Sequence, residues 1–216
     1  MSFSSIVLQL AQGMGVSVEI FFITLVFSLP LGLLIALGRM SKNKIVSAIM
    51  SVYISIMRGT PLMLQMMVVY FGPYYLFGIH ISGSYRMSAA LIAFIINYAA
   101  YFAEIYRSGI QSMSQGQYEA AKLLGYSRQQ TFSIIILPQV FKCIIPALSN
   151  EVITLVKDTS LAFTISVVEM FTTAKALASA TASMMPFAAA GLFYYIFNFL
   201  VAWVMDIIEK KLAYYK

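Results

Sequence analysis

Glu151, Lys157 and Asp158 sit at the end of an otherwise apolar run in this 216-residue chain. Charges are costly in hydrocarbon and usually face a bundle interior or a cavity. Two readings stay open for them. They pair with one another or snorkel to an interface, or they line a path on which a zwitterion finds an acceptor for its ammonium and a donor for its carboxylate. Arg58 has the same two readings. It precedes Thr60-Pro61, where a helix start would attract a carboxylate, and it also suits the inner interface of a membrane helix. Glu104 and Arg107, three apart, fit a simple intrahelical pair. Catalysis fits poorly. His80 is the only histidine and Cys143 the only cysteine, which excludes a multi-histidine metal site and an internal disulfide. Cys143 lies in an apolar stretch and reads as a packing residue.

The elements that must position these residues are membrane helices. Of all residues 61% are hydrophobic and 10% charged, against about 25% charged in soluble domains. A soluble chain of this size could not hide so much apolar surface. The expected fold is therefore an all-α integral membrane protein, one membrane domain over 1–216. Helices are preferred because hydrocarbon offers an open backbone no partner. Val16–Leu37, Leu62–Ile79, Met87–Ala103, Phe132–Val156 and Pro186–Met205 each reach the roughly 17–25 residues a crossing needs, giving about five transmembrane helices. Ile45–Met57 reads as an interfacial or partly inserted helix. Thr60 is expected to cap the next helix, with Pro61 at its first position. Leu161–Met185, rich in Ala, Ser and Thr and carrying Glu169 and Lys175, is too polar for lipid. It reads as short helices inside the bundle or a re-entrant segment.

The net charge of +6 is no nucleic-acid signal, because the basic residues form short clusters between apolar runs. With the N-terminus outside and the C-terminus cytoplasmic, the inner face receives Arg39, Lys42, Lys44, Arg107, Lys122, Arg128, Lys210, Lys211 and Lys216. The outer loops receive only Arg86 and Lys175, the bias expected of a multi-pass membrane protein. Tyr74, Tyr75, Trp203, Tyr214 and Tyr215 fit interfacial aromatic belts.

The loop Ser108–Pro138 carries the densest set of helix signals. Ser114 and Gln117 have capping-box spacing and predict a helix start. Glu119 in its first turn suits the helix dipole. Gly125 predicts a left-handed stop, and Ser127 with Gln130 repeats the capping box. The result is a helix of about ten residues, roughly 15 Å long, in a loop of about 108–133. Ala120 and Ala121 give it a low profile on which a partner backbone could approach. By itself this is equally an ordinary capped loop helix.

Glu119-Ala120-Ala121, then Gly125, then Leu137-Pro138 resembles the EAA signature of ABC-importer permeases. Four further blocks resemble the polar amino-acid branch, the histidine/glutamine/arginine/cystine permeases: Arg58-Gly59-Thr60-Pro61-Leu62 with Gln65, Ala103-Glu104-Ile105-Tyr106-Arg107-Ser108-Gly109-Ile110, Ile136-Leu137-Pro138-Gln139, and Lys157-Asp158-Thr159-Ser160-Leu161. Ser112-Met113-Ser114 departs from the pattern, since relatives often carry Pro at the third position. The resemblance implies a type I importer permease fold in a bacterial inner membrane and alternating-access transport of polar amino acids. It implies that Glu119, Ala120, Ala121 and Gly125 couple to an ATPase subunit dimer. Glu151, Lys157, Asp158, Arg58 and Gln65 are then the candidate substrate pathway. The implied partners are that ATPase, a second permease subunit (a copy or a related chain), an extracellular or periplasmic amino-acid-binding protein and membrane lipid, with no nucleic acid. The chain has no G-x-x-x-x-G-K-[ST] phosphate loop, so ATP and Mg are expected on the partner ATPase, and no cofactor or enzymatic activity is expected here. An autonomous channel or ion-coupled carrier is the alternative, and it would not need the loop motif.

Overall fold

The computed structural model describes residues 3–212. The expectations for Tyr214, Tyr215 and Lys216 lie outside the described residues. In chain order the helices are α1 (Phe3–Arg39), α2 (Lys44–Gly59), α3 (Leu62–Phe77), α4 (Tyr85–Gln111), α5 (Gln115–Leu123), α6 (Arg128–Gln130), a π segment (Thr131–Ile136), α7 (Leu137–Asp158), a 3-10 segment (Thr159–Ile165), α8 (Met170–Thr181) and α9 (Met185–Leu212). Among the described residues, four runs are long and apolar enough to cross a bilayer, starting at Phe3, Tyr85, Arg128 and Met185. The α2–α3 pair, bent by 109° at its break, makes up to five. This is the expected all-α membrane architecture.

Small residues let α1 and α4 approach closely. The buried stripe of α1 includes Thr24, Ser28, Gly32 and Ala36, and further up Gly13 and Ser17, which face α8. Such small-residue seams let membrane helices associate when no hydrophobic drive separates them from lipid. A Cβ on Gly32 would stand 2.8 Å from Cβ of Phe102. On its other faces α4 meets α2, α3 and α7, and Phe94, Tyr98 and Phe102 are among its fully buried side chains. In contrast α9 buries only Pro186 and Ala190. It leaves Leu192, Tyr195, Phe199 and Trp203 exposed, which lipid or another subunit can cover.

Several local expectations are corrected. Thr60 does not cap α3. Its hydroxyl turns back and donates to the Ile56 carbonyl at 2.8 Å, closing α2, and Pro61 stands just before the first residue of α3. Ser114 precedes α5 as expected but makes no side-chain cap, because the Gln117 N–H goes to the Ser114 carbonyl at 3.2 Å and the Gln117 side chain is engaged elsewhere. Cys143 is exposed rather than packed, since it lies on the outward face of α7 beside buried Ile144. Glu104 and Arg107 do form the expected ion pair within α4.

The segment 159–181 resolves as short helices inside the bundle. Glu169 is fully buried and opens α8 by accepting the backbone N–H groups of Phe171 and Thr172, both at 2.7 Å. It also accepts from the hydroxyls of Thr172 at 2.9 Å, Tyr194 of α9 at 3.1 Å and Ser17 of α1 at 3.4 Å. One carboxylate thus ties three helices, which is how a buried charge becomes tolerable.

Candidate functional site

A cavity of about 380 Å³ opens where the α2–α3 break meets the middle of α4 and the last turns of α7. Its lining includes Thr60, Pro61 and Leu62 from the break, Asn97, Tyr98 and Tyr101 from α4, and Glu151, Thr154 and Asp158 from α7. Glu151, Thr154 and Asp158 are spaced i, i+3 and i+7, so the helical period puts all three on one face. The Tyr98 hydroxyl donates to Oδ2 of Asp158 at 2.7 Å, and Tyr98 is itself almost fully buried. Asp158 therefore keeps its position through α4.

The break is shaped by two amides. Nε2 of Gln65 reaches the carbonyls of Met57 at 2.9 Å and Thr60 at 3.1 Å, and the Thr60 hydroxyl at 2.8 Å. Nδ2 of Asn97 donates to Oε1 of Gln65 at 2.9 Å and to the Met57 carbonyl at 3.0 Å. These bonds satisfy carbonyls that the end of α2 leaves without helical partners. Gln65 is buried and acts on the cavity by holding its wall.

Arg58 does not sit at an end of the bundle. Met57 beside it is bonded to Asn97, near the midpoint of α4, and the Arg58 guanidinium stands 5.5 Å from the ring centroid of Tyr101. The inner-interface reading is corrected accordingly. α2 runs into the bundle against α1 and α4, where the Tyr53 hydroxyl bonds the Ile96 carbonyl, and this carries Arg58 some 21 Å from Lys44. A guanidinium over an aromatic face is held by cation–π attraction and keeps its N–H groups free to meet an anion.

Lys157 is exposed and is not part of the cavity lining, because it projects from α7 one residue out of phase with Asp158. The structure thus brings Glu151 and Asp158 together with the Arg58–Tyr101 edge, places Gln65 behind the wall, and leaves Lys157 outside. Asn97, Tyr98, Tyr101 and Thr154 were missed by reading the sequence. The available signal was Asn97 in the middle of an uncharged span, a polar group that hydrocarbon penalises.

The second feature is the loop beyond α4. α5 spans Gln115–Leu123, and Gly125 takes φ +81°. The Tyr126 N–H donates to the Ala121 carbonyl at 3.0 Å and the Gly125 N–H to the Lys122 carbonyl at 3.1 Å, a Schellman stop. Ser127 and Gln130 then complete a capping box. Glu119, Ala120 and Gly125 are exposed, whereas Ala121 is buried, so of the two alanines only Ala120 offers its surface to a partner. Leu123 and Leu124 project at 89% and 76% exposure. Side by side at the helix end, they form an exposed apolar spot that a partner can cover.

Residues 28–214 match the family described as binding-protein-dependent transport system inner membrane component. The chain belongs to this family. Among characterised relatives, the L-cystine transport system permease protein TcyB of Bacillus subtilis (strain 168) is 36% identical over 208 residues, covering 95% of this chain and 87% of TcyB. The arginine transport system permease protein ArtQ of the same strain is 35% identical over 202 residues, covering 93% and 91%. A solved amino acid ABC transporter, described as a crystal structure with histidines, superposes with a TM-score of 0.87 at 31% identity over 98% of this chain and 99% of that one. The inward-facing MetNI methionine transporter shares the fold, at a TM-score of 0.76 and 17% identity, covering 99% of this chain and 100% of that one. As a member of the family, the chain is a permease component with several membrane-spanning helices. The ABC-importer permease fold expected from the sequence is the fold observed.

Proposed function

We propose that this permease moves polar amino acids across a bacterial inner membrane by alternating access. ATP and Mg are bound by a separate ATPase dimer, and an external binding protein delivers the solute. The observation that carries the reading is the cavity of about 380 Å³ at mid-bundle, lined by two carboxylates and two tyrosines and edged by one guanidinium. Such a site suits a zwitterion. Glu151 accepts the ammonium or a cationic side chain. The guanidinium of Arg58, with the N-terminal N–H groups of α3 beside it, attracts the carboxylate. Asp158, oriented by Tyr98, adds a second acceptor, and Gln65 keeps the break in shape. Lys157, next in sequence to Asp158, serves the mouth of the path rather than the cavity.

The relatives' transport of cystine and arginine supports amino acids as the solute class. The orientation with the N-terminus outside follows the lysine and arginine distribution. It puts α5, with exposed Glu119, Ala120 and Gly125, on the cytoplasmic side, where an ATPase can be met. Ala121 supports that helix from beneath. The apolar face of α9 suits lipid or the second permease subunit.

Uptake into proteoliposomes holding the complete complex tests the reading. Glu151→Gln and Asp158→Asn should leave folded yield near wild type and lower transport, most strongly for cationic amino acids. Equal loss of yield and uptake, with substrate preference unchanged, would show that these carboxylates are only structural.

A further inference from the structure

Resting on the coupling role given above to α5, we propose that Gln117 and Gln139 are positioning residues. Together they form the mechanical link that carries movement of α5 into α7 and so to the cavity. Nε2 of Gln117 donates to Oε1 of Gln139 at 2.8 Å, and Nε2 of Gln139 donates back to Oε1 of Gln117 at 2.9 Å. A reciprocal amide pair engages both groups on each side chain, so α5 cannot slide or roll against α7 without losing two bonds together. The second N–H of Gln139 is also engaged, reaching the Ile135 carbonyl at 2.7 Å. Both glutamines are half-buried, whereas Glu119, Ala120 and Gly125 beside them are exposed. Gln117 thus faces its own chain, and the exposed residues are left for the ATPase.

What lies on either side of the pair gives it its role. Ile135 belongs to the π segment Thr131–Ile136, followed by Leu137 and then Pro138, which has no N–H to offer the preceding turn. π turns within helices mark places where the backbone can change its hydrogen-bond register. Gln139 pins one carbonyl of that segment and the loop helix at once. From Gln139, α7 continues as one helix to Asp158, with Pro146 inside it removing one backbone hydrogen bond on the way. At 1.5 Å per residue, Glu151 lies about 18 Å and Asp158 about 28 Å along the same helix. A displacement of α5 that leaves the pair intact must move the base of the helix whose far end carries both cavity carboxylates.

The test uses the complete complex with its ATPase and binding protein in proteoliposomes. ATP hydrolysis, amino-acid uptake and the amount of assembled complex are measured together. Gln117→Leu and Gln139→Leu should each lower the amino acid moved per ATP hydrolysed by about fivefold or more with assembly unchanged. The double variant should be no worse than the poorer single one, because both singles remove one link. Gln117→Glu retains an acceptor for Nε2 of Gln139 and should recover at least half of the ratio. Losses that add in the double variant would overturn the link. So would reduced assembly in the single variants, or a Gln117→Glu no better than Gln117→Leu. If the leucine variants keep a normal ratio while Gly125→Val loses uptake, the link fails and the coupling role of α5 stands. If Gly125→Val also transports normally when the ATPase is limiting, the coupling role itself fails.

Discussion

Replacing Gly125 by Asn, Ala and Val separates backbone conformation from contact in the loop that ends α5. The residue sits at φ +81°, and a Cβ built there meets nothing within 4 Å. Within the chain, a side chain at 125 therefore costs only what the left-handed conformation costs. That is small for Asn, about 1 kcal/mol for Ala and about 2–3 kcal/mol for a β-branched residue. The stop is held by the two Schellman bonds to Ala121 and Lys122, at about 1 kcal/mol each. Alanine leaves a margin of about 1 kcal/mol and most molecules correctly folded at the loop. Valine erases the margin, leaving between about a half and a sixth of molecules with the native stop. The apparent affinity of the loop for its ATPase should then fall about two- to sixfold. Uptake at limiting ATPase, normalised to folded permease, should rank Gly close to Asn, then Ala, then Val. If the substitutions act by colliding with the partner, the order should instead follow side-chain size, with Ala mildest. Asn as harmful as Val would refute the conformational account.

Gln65→Leu leaves the Thr60 carbonyl and the Asn97 amide short of a partner, and each buried orphan costs about 1–3 kcal/mol. Folded yield and thermal midpoint in detergent should fall, while the substrate preference of surviving protein stays unchanged; altered preference would place Gln65 in direct solute contact. Glu169→Gln keeps the size of the side chain but turns an N–H pair toward either the two donors of Thr172 or those of Phe171 and Tyr194, so it should destabilise nearly as much as Glu169→Ala, by about 2–4 kcal/mol. Retention of wild-type thermal stability by Glu169→Gln would contradict the role of the carboxylate as an acceptor hub. Gly109→Ala puts a Cβ 2.1 Å from Cγ2 of Ile144, an overpacking worth about 1–3 kcal/mol. Ile144→Leu removes that branch and should recover part of the loss, measured as chemical or thermal stability of the double variant against each single one.

The loop was the most legible functional part of the sequence. Its signals are local: Gly125 stops α5, and Ser127 and Gln130 cap the following helix, each acting over a few residues. The same locality misled at Ser114 and Thr60. Both have cap-forming side chains in suitable places, but the Gln117 N–H goes to the Ser114 carbonyl and its side chain to Gln139, while the Thr60 hydroxyl goes to Ile56, and a residue pattern cannot report these competing partners. Among the charges, the i, i+7 phase of Glu151 and Asp158 can be read from helical geometry. The exclusion of Lys157 needs the direction in which that face points.

The sequence by itself determined that the chain lives in lipid, where its crossings fall, and that a capped loop helix separates two of them. Hydrocarbon penalises every polar residue it meets, and caps close within one turn, so both leave their record in consecutive residues. Only the tertiary structure decided the depth of Arg58, the hydroxyl that holds Asp158, the burial of Glu169 among three helices and the partner of Gln117. Tyr98 and Asp158 are 60 positions apart and Ser17 and Glu169 are 152 apart. Contacts over such separations arise from which helix faces pack together. Small-residue seams and the α2–α3 break set that arrangement through shape, in three dimensions rather than along the chain.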